Sequence, residues 1–233
     1  ISYSVTGVQT CALPICGVPK SVLTHVDAVI REDFLSMCAT LEKDGHTLRD
    51  IDVGFMEYVV PAYYIIAPAE ASSNLARFDG IRYGARAEGT TKESMIASTR
   101  DAGFGDEVKR RCCIGAYVLS SGYSDHYYKK ALAVKQAVKR ELLSLLKTVD
   151  VVAWPTTPQM PFKIGDKTDD IIYLYMADLF TIPANLAGLP ALAVPMHKHC
   201  DFYTSIHFMG KPLAERDVFA AGFAVEAVRG WSK

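Results

Sequence analysis

Residues Pro61 to Gly84 read PAYYIIAPAEASSNLARFDGIRYG. The segment starts apolar and aromatic and passes through small residues. It ends in Arg77 and Arg82, with Arg86 just beyond, around the pair Asp79-Gly80. The apolar spacing predicts a helix over most of it, with Pro61 accommodated in the first turn. Pro68 is expected to bend that helix, because proline lacks an N–H and crowds the carbonyl four residues back. Asp79-Gly80 is expected to end it. On residue type alone this is a core helix with an aromatic inner face and a solvated basic end.

Working outward, Val26 to Lys43 places Val26, Val29, Ile30, Phe34, Met37, Cys38 and Leu41 at helical spacing, with Gly45 as the stop. Thr47 to Val53 alternates weakly and reads as a short strand. Ala87 to Ala102 is polar and reads as a loop with a helical turn. Asp106 is expected to cap a helix from Glu107 to about Leu119, its acidic first turn facing the positive end of the helix dipole. Ser124 is expected to start a long helix to Lys147, with Tyr127, Ala131, Val134, Val138, Leu142 and Leu145 along one face.

Asp150 to Trp154 (DVVAW), followed by Pro155, fits a buried strand. Asp170 is expected to cap a helix through Leu179, with a short helix over Ala184 to Ala187 after it. Ala191 to Val194 and Thr204 to Met209 read as neighbouring strands. A last helix, Ala214 to Val228, is expected to turn Val218, Phe219, Phe223 and Val225 inward. Strands and helices alternate without repeats or a linker, which is α/β architecture.

Half of the 233 residues are hydrophobic, enough for a sizeable core, and the formal net charge is -1. That balance gives no global electrostatic case for nucleic acid or an anionic membrane. No apolar run reaches the roughly 20 residues of a membrane helix, and no basic flank with an apolar core marks a secretory signal. The chain reads as soluble and cytoplasmic, in a bacterium or as an organellar counterpart, without a membrane partner. Cys38, Cys112, Cys113 and Cys200 lack CxxC spacing and are expected to be reduced and mostly buried. His197, His199 and Cys200 lack the spaced second pair of a structural zinc site, so no metal site is assigned.

The order of residues in Pro61 to Gly84 closely resembles the amidase signature family, in particular its tRNA-dependent amidotransferase branch. The resemblance continues through GFGDEVKRR (Gly103 to Arg111), LSSGYSDHYYKKA (Leu119 to Ala131), FKIGDKTDD (Phe162 to Asp170) and DLFTIPANLAGLPALAVP (Asp178 to Pro195). It covers roughly Gly17 to the C-terminal helix. GVPK (Gly17 to Lys20) resembles the strand end where the family's C-terminal half begins. One departure is CDFYTSIHF (Cys200 to Phe208), where relatives commonly carry a glycine-rich GLPVGLQ-like turn and strand. The resemblance implies a mixed β-sheet flanked by helices, with only the C-terminal portion of that fold present.

A pocket for free glutamine needs a planar cation for the α-carboxylate and an anion for the α-ammonium. By resemblance, Arg111 holds the α-carboxylate, Asp178 the α-ammonium, and Tyr63 lines the pocket. Tyr64 and Arg110 are adjacent alternatives. From the residues alone, Arg111 reads first as a helix-surface charge paired with Glu107 at i,i+4, and Asp178 as a partly exposed helix-end carboxylate. Ser120-Ser121-Gly122 reads as a turn, not as a nucleophile.

The family attacks the amide with a serine relayed through a second, cis-peptide serine to a lysine, beside a glycine-serine-rich oxyanion loop. This chain has no GGSSGGS-like run, so no catalytic residue is assigned. The resemblance implies a protein that hydrolyses glutamine and passes ammonia to the amidotransferase B and C subunits for conversion of Glu-tRNA(Gln) to Gln-tRNA(Gln), or of Asp-tRNA(Asn) to Asn-tRNA(Asn), in protein synthesis. ATP and Mg2+ act on the partner's side, none bound by this chain, and aminoacyl-tRNA is met through the complex. A different carboxamide hydrolase of the family, and a non-catalytic module that binds partner subunits, are the alternatives.

Ile1 to Ile15, ISYSVTGVQTCALPI, resemble the translation of a sequencing-library adapter, above all from Val5 onward. On that reading native sequence starts near Cys16, and residues 16–233 are the C-terminal part of a single amidase domain.

Overall fold

The computed structural model describes residues 14–164, 171–200 and 202–230. Most of the segment resembling an adapter, and the expected cap Asp170, lie outside the described residues.

A five-stranded mixed sheet forms from β1 (Cys16–Val18), β2 (Leu48–Asp50), β3 (Val151–Pro155), β4 (Ala191–His199) and β5 (Phe202–Gly210), in the order β2-β1-β3-β5-β4. β1 pairs parallel to β2 and β3, whereas β3–β5 and β5–β4 are antiparallel. The apolar run predicted as a strand is the sheet's centre, and all five residues of β3 are buried. A strand covered on both faces reads as continuous apolar sequence rather than alternation. β4 and β5 are longer than predicted. They form a hairpin with a register shift between Pro195 and Lys198, and Cys200 at its turn has φ 46°.

Two helices pack on the β3, β4 and β5 part of the sheet and on each other: α1 (Ala28–Lys43) and the last helix, α8 (Glu215–Arg229). α1 starts at Ala28 rather than Val26 and buries Ile30, Phe34, Met37, Cys38 and Leu41 of the predicted set, whereas Val29 is exposed; Gly45 follows at φ 94°. α8 corrects the prediction. Val218 and Val225 are buried with Ala221 and Gly222, but Phe219 and Phe223 are 54% and 65% exposed. Trp154, Phe34, Phe180 and Phe208 are the largest fully buried side chains of this core.

The chain divides into two compact units, one of Ile1–Val60 with Ala137–Lys233 and one of Pro61–Gln136. The boundaries fall within α2 (Met56–Leu75) and α5 (Tyr128–Leu145). α2 starts five residues before Pro61, so that proline sits inside the helix rather than in its first turn. The helix also runs on through Pro68, with Val59, Ala62, Ile66 and Ala69 buried at 3,4,3 spacing. Burial of that stripe outweighs the backbone hydrogen bonds two prolines forgo. The helix ends at Leu75, before Asp79-Gly80. There Asp79 Oδ1 accepts from the backbone N–H of Ile81 at 2.8 Å, and Gly80 takes φ 75°.

Residues read as a loop form α3 (Lys92–Gly103), begun by a capping box in which Thr91 and Ser94 bond each other's backbone N–H. α4 (Asp106–Leu119) is N-capped by Gly105 rather than Asp106, which becomes its first helical residue. Ser120 to Tyr127 is a turn with Gly122 at φ 88°, so α5 begins later than predicted and ends at Leu145. Tyr127 is 42% exposed, in contact with Tyr117 and Tyr123, rather than on the inner face. Two short helices lie between β3 and β4: α6 (Ile171–Met176), which ends before the expected Leu179, and α7 (Ile182–Ala187), which starts two residues earlier than expected.

Candidate functional site

Of the predicted site residues, Tyr63 and Arg111 lie in the Pro61–Gln136 unit and Asp178 in the other. Each group is described within its own unit.

α2 and α4 meet at Gly115. A Cβ there would overlap the Pro68 carbonyl oxygen and stand 2.5 Å from Ser72 Cβ. One turn earlier on both helices, the Arg111 guanidinium carbon lies 5.9 Å from the centre of the Tyr64 ring. Residues four apart stack on one helix face, so the 68–115 contact sets the 64–111 contact. Tyr63 packs edge-on against Tyr64, centroids 5.2 Å apart at 87°. The structure therefore brings Arg111 together with both tyrosines, and it is the Tyr64 ring that faces the guanidinium. Both tyrosines are half-buried.

Arg111 Nε donates to Glu107 Oε1 at 2.9 Å, the i,i+4 pair visible in the sequence. Arg110 Nη1 donates to the other oxygen, Oε2, of the same carboxylate. Arg111 is half-buried and Arg110 exposed. The Glu107 hydrogen bond holds the Arg111 proton more tightly than usual, against an opposing desolvation. Arg111 is thus a guanidinium held by Glu107 with its central carbon over the Tyr64 ring, an arrangement suited to a planar carboxylate.

Asp178 is half-buried in the turn between α6 and α7. Its carbonyl accepts from Thr181 N–H at 3.0 Å, Ile182 N–H at 3.1 Å and Thr181 Oγ1 at 3.1 Å. These three bonds tie the Asp178 carbonyl to the start of α7. The neighbouring Phe180 carbonyl accepts from Trp154 Nε1 at 2.9 Å, anchoring the same turn to the core. None of three cavities described within the units is lined by Tyr63, Arg111 or Asp178.

Among the described residues, no three His, Cys, Asp or Glu side chains gather as a metal site. His199 Nε2 instead lies 2.6 Å from Asp33 Oδ2, which also accepts from Thr204 Oγ1 at 2.6 Å. Cys16 and Cys38 are buried, and burial pushes the Cys38 thiol up to about 12. Cys113 and Cys200 are exposed, contrary to the expectation of mostly buried thiols. No helix among the described residues is long and apolar enough to cross a membrane.

The family model described as Amidase matches residues 13–219. Ile15, within the segment resembling an adapter, donates its N–H to Asp150 Oδ2 at 3.0 Å. The A subunit of glutamyl-tRNA(Gln) amidotransferase from Sulfurihydrogenibium sp. is 43% identical over 219 residues, 93% of this chain and 45% of the relative. Its counterpart from Chloroflexus aggregans is 44% identical over 191 residues, 82% of this chain and 39% of the relative. The crystal structure of the counterpart from Thermotoga maritima superposes with a TM-score of 0.68 at 34% identity, covering 91% of this chain and 42% of that one. The chain spans less than half the length of each of these relatives.

Proposed function

The chain belongs to the amidase family, and from that premise we propose that it is part of the glutamine-hydrolysing component of a tRNA-dependent amidotransferase. The intact enzyme would release ammonia from glutamine for conversion of Glu-tRNA(Gln) to Gln-tRNA(Gln). The B and C subunits would be its partners, and ATP with Mg2+ would act on a partner rather than on this chain. Aminoacyl-tRNA would be met through that complex, in the cytoplasm.

Within this reading the chain supplies the grip on the amino-acid end of glutamine. Arg111 takes the α-carboxylate by two parallel N–H donors. Asp178 takes the α-ammonium, and Tyr63 lines the wall with Tyr64. One observation carries the reading: a half-buried Arg111, oriented by Glu107 and faced by Tyr64, in a chain 43% identical to a glutamyl-tRNA(Gln) amidotransferase component. A surface ion pair alone, worth a few tenths of a kcal/mol, gives no reason to seat the guanidinium against an aromatic ring. A carboxamide hydrolase acting on simple amides would offer nothing for both charges to hold.

The residues that attack the amide are proposed to lie in the portion of the relatives' length that this chain does not span, with residues 1–15 as translated adapter. Sequencing the source genome across the codon for Gly17 tests both points. The expected result is a glycine-serine-rich run with a lysine set ahead of it, upstream of Gly17 and in frame. An upstream open reading frame without such a run would overturn the assignment as part of a glutamine hydrolase. Genomic DNA encoding residues 1–15 as they stand would overturn the adapter reading.

A further inference from the structure

Glu107 occupies a position that the grip on glutamine leaves unexplained. One carboxylate oxygen accepts from Arg111 Nε at 2.9 Å and the other from Arg110 Nη1. All three residues come from a single turn of α4, at i, i+3 and i+4. We propose that Glu107 is the positioning residue of the amino-acid site, holding Arg111 so that its Nη edge meets the α-carboxylate of glutamine. This rests on the assignment of Arg111 made above.

Three features lead there. First, a guanidinium carries five N–H donors in a rigid plane, and each edge offers one pair. Engaging Nε with Glu107 commits one edge, which leaves the Nη1/Nη2 edge as the pair presented to a ligand carboxylate. Second, two contacts restrain the group in complementary ways. The Glu107 bond fixes the Nε edge, and the guanidinium carbon lies over the Tyr64 ring, 5.9 Å from its centre, where the ring attracts the cation.

Third, the charges match. Two adjacent arginines carry two positive charges that repel each other, and Glu107 cancels one. The remaining single charge is complementary to one carboxylate. Because Arg110 donates to the second oxygen, Glu107 is held from both sides. Arg110 thereby acquires a role that its exposed position does not suggest.

The test uses the assembled full-length enzyme and two substrates, glutamine and glutaminamide, which keeps the side-chain amide but replaces the α-carboxylate with a carboxamide. Glu107→Ala is expected to raise KM for glutamine roughly tenfold, the size of a lost charge-assisted hydrogen bond. The preference for glutamine over glutaminamide, as a ratio of kcat/KM, is expected to fall by a similar factor. Glu107→Gln keeps one acceptor oxygen and is expected to recover part of that ratio.

A purely structural role would lower both substrates alike and leave the ratio unchanged, which would overturn the proposal. Should the alanine variant fail to fold, the glutamine variant decides: an unchanged ratio overturns the proposal and a lowered ratio supports it. Arg111→Ala separates the two levels of inference. If it leaves the ratio intact, the assignment of Arg111 fails and takes this proposal with it. If it lowers the ratio while both Glu107 variants do not, the role of Glu107 alone is wrong.

Discussion

Gly115 of α4 lies directly against the Pro68 carbonyl of α2, so close that no side chain fits between the two helices there. Proline and glycine, both poor residues for a helix interior, here make one contact together. One turn back, the same register sets Arg111 beside Tyr64. The helix contact and the candidate site are parts of one packing arrangement.

Gly115→Ala is therefore expected to destabilise the chain. Alanine gains about 1 kcal/mol of helix propensity, but overpacking costs about 1–3 kcal/mol or more, and the opposing atom is backbone that cannot rotate away. Gly103→Ala is the control, since a Cβ at the end of α3 meets nothing within 4 Å. A lowered urea midpoint for the first variant, and an unchanged or raised one for the second, are the expected results. Equal midpoints would contradict the close contact.

A second prediction concerns acid. His207 is buried, and burial pushes its pKa down to about 4. Its Nδ1 accepts from Trp154 Nε1 at 3.1 Å, so the folded state needs the neutral ring. Unfolded, the group binds its proton near pH 6.5. Between those values the unfolded state holds more protons, so stability rises with pH. Stability is full above about 6.5 and falls as pH drops toward 4, by a total on the order of 3 kcal/mol. His207→Asn, which keeps an acceptor but does not titrate, is expected to flatten that slope in denaturant melts across the range. Parallel slopes would remove His207 as the cause.

Asp33 closes the far end of the β4–β5 hairpin, its Oδ2 taking both His199 and Thr204 at 2.6 Å. Asp33→Ala leaves two polar groups without their acceptor and is expected to cost about 1–3 kcal/mol. Hydrogen exchange should quicken at the terminal pairs Lys198–Tyr203 and His199–Phe202. Unchanged protection there would show that the strand ladder alone holds the hairpin.

The chain by itself is expected to turn over no glutamine, since the residues proposed to attack the amide are not in it. Purified chain is compared with a heat-killed control by ammonia release. Turnover clearly above the control would mean that some other group here performs the attack.

Much of the fold is legible in the sequence where one physical signal dominates. Val151 to Trp154 is apolar throughout because β3 is buried along its whole length, and Gly45 marks the end of α1 by its need for positive φ. α3 escapes such a reading because its face is weakly apolar and its start depends on Thr91 and Ser94 reaching each other's backbone. Phe219 and Phe223 mislead for a different reason. α8 is apolar around more of its circumference than one stripe, and only the sheet selects Val218, Ala221, Gly222 and Val225 as the inner one. At the candidate site, the Glu107–Arg111 pair follows from spacing within one helix. The Tyr64–Arg111 contact does not, because it depends on a register between two helices that a single glycine permits.

Everything proposed for the site turns on Arg111 holding the α-carboxylate of glutamine. A crystal structure of the full-length enzyme with glutamine bound puts that to the test. The expected result is the α-carboxylate on the Arg111 guanidinium at about 2.7–2.9 Å, the ammonium on Asp178, and Glu107 still on Arg111 Nε. Glutamine held by other residues, with Arg111 bonded to Glu107 alone, would contradict it.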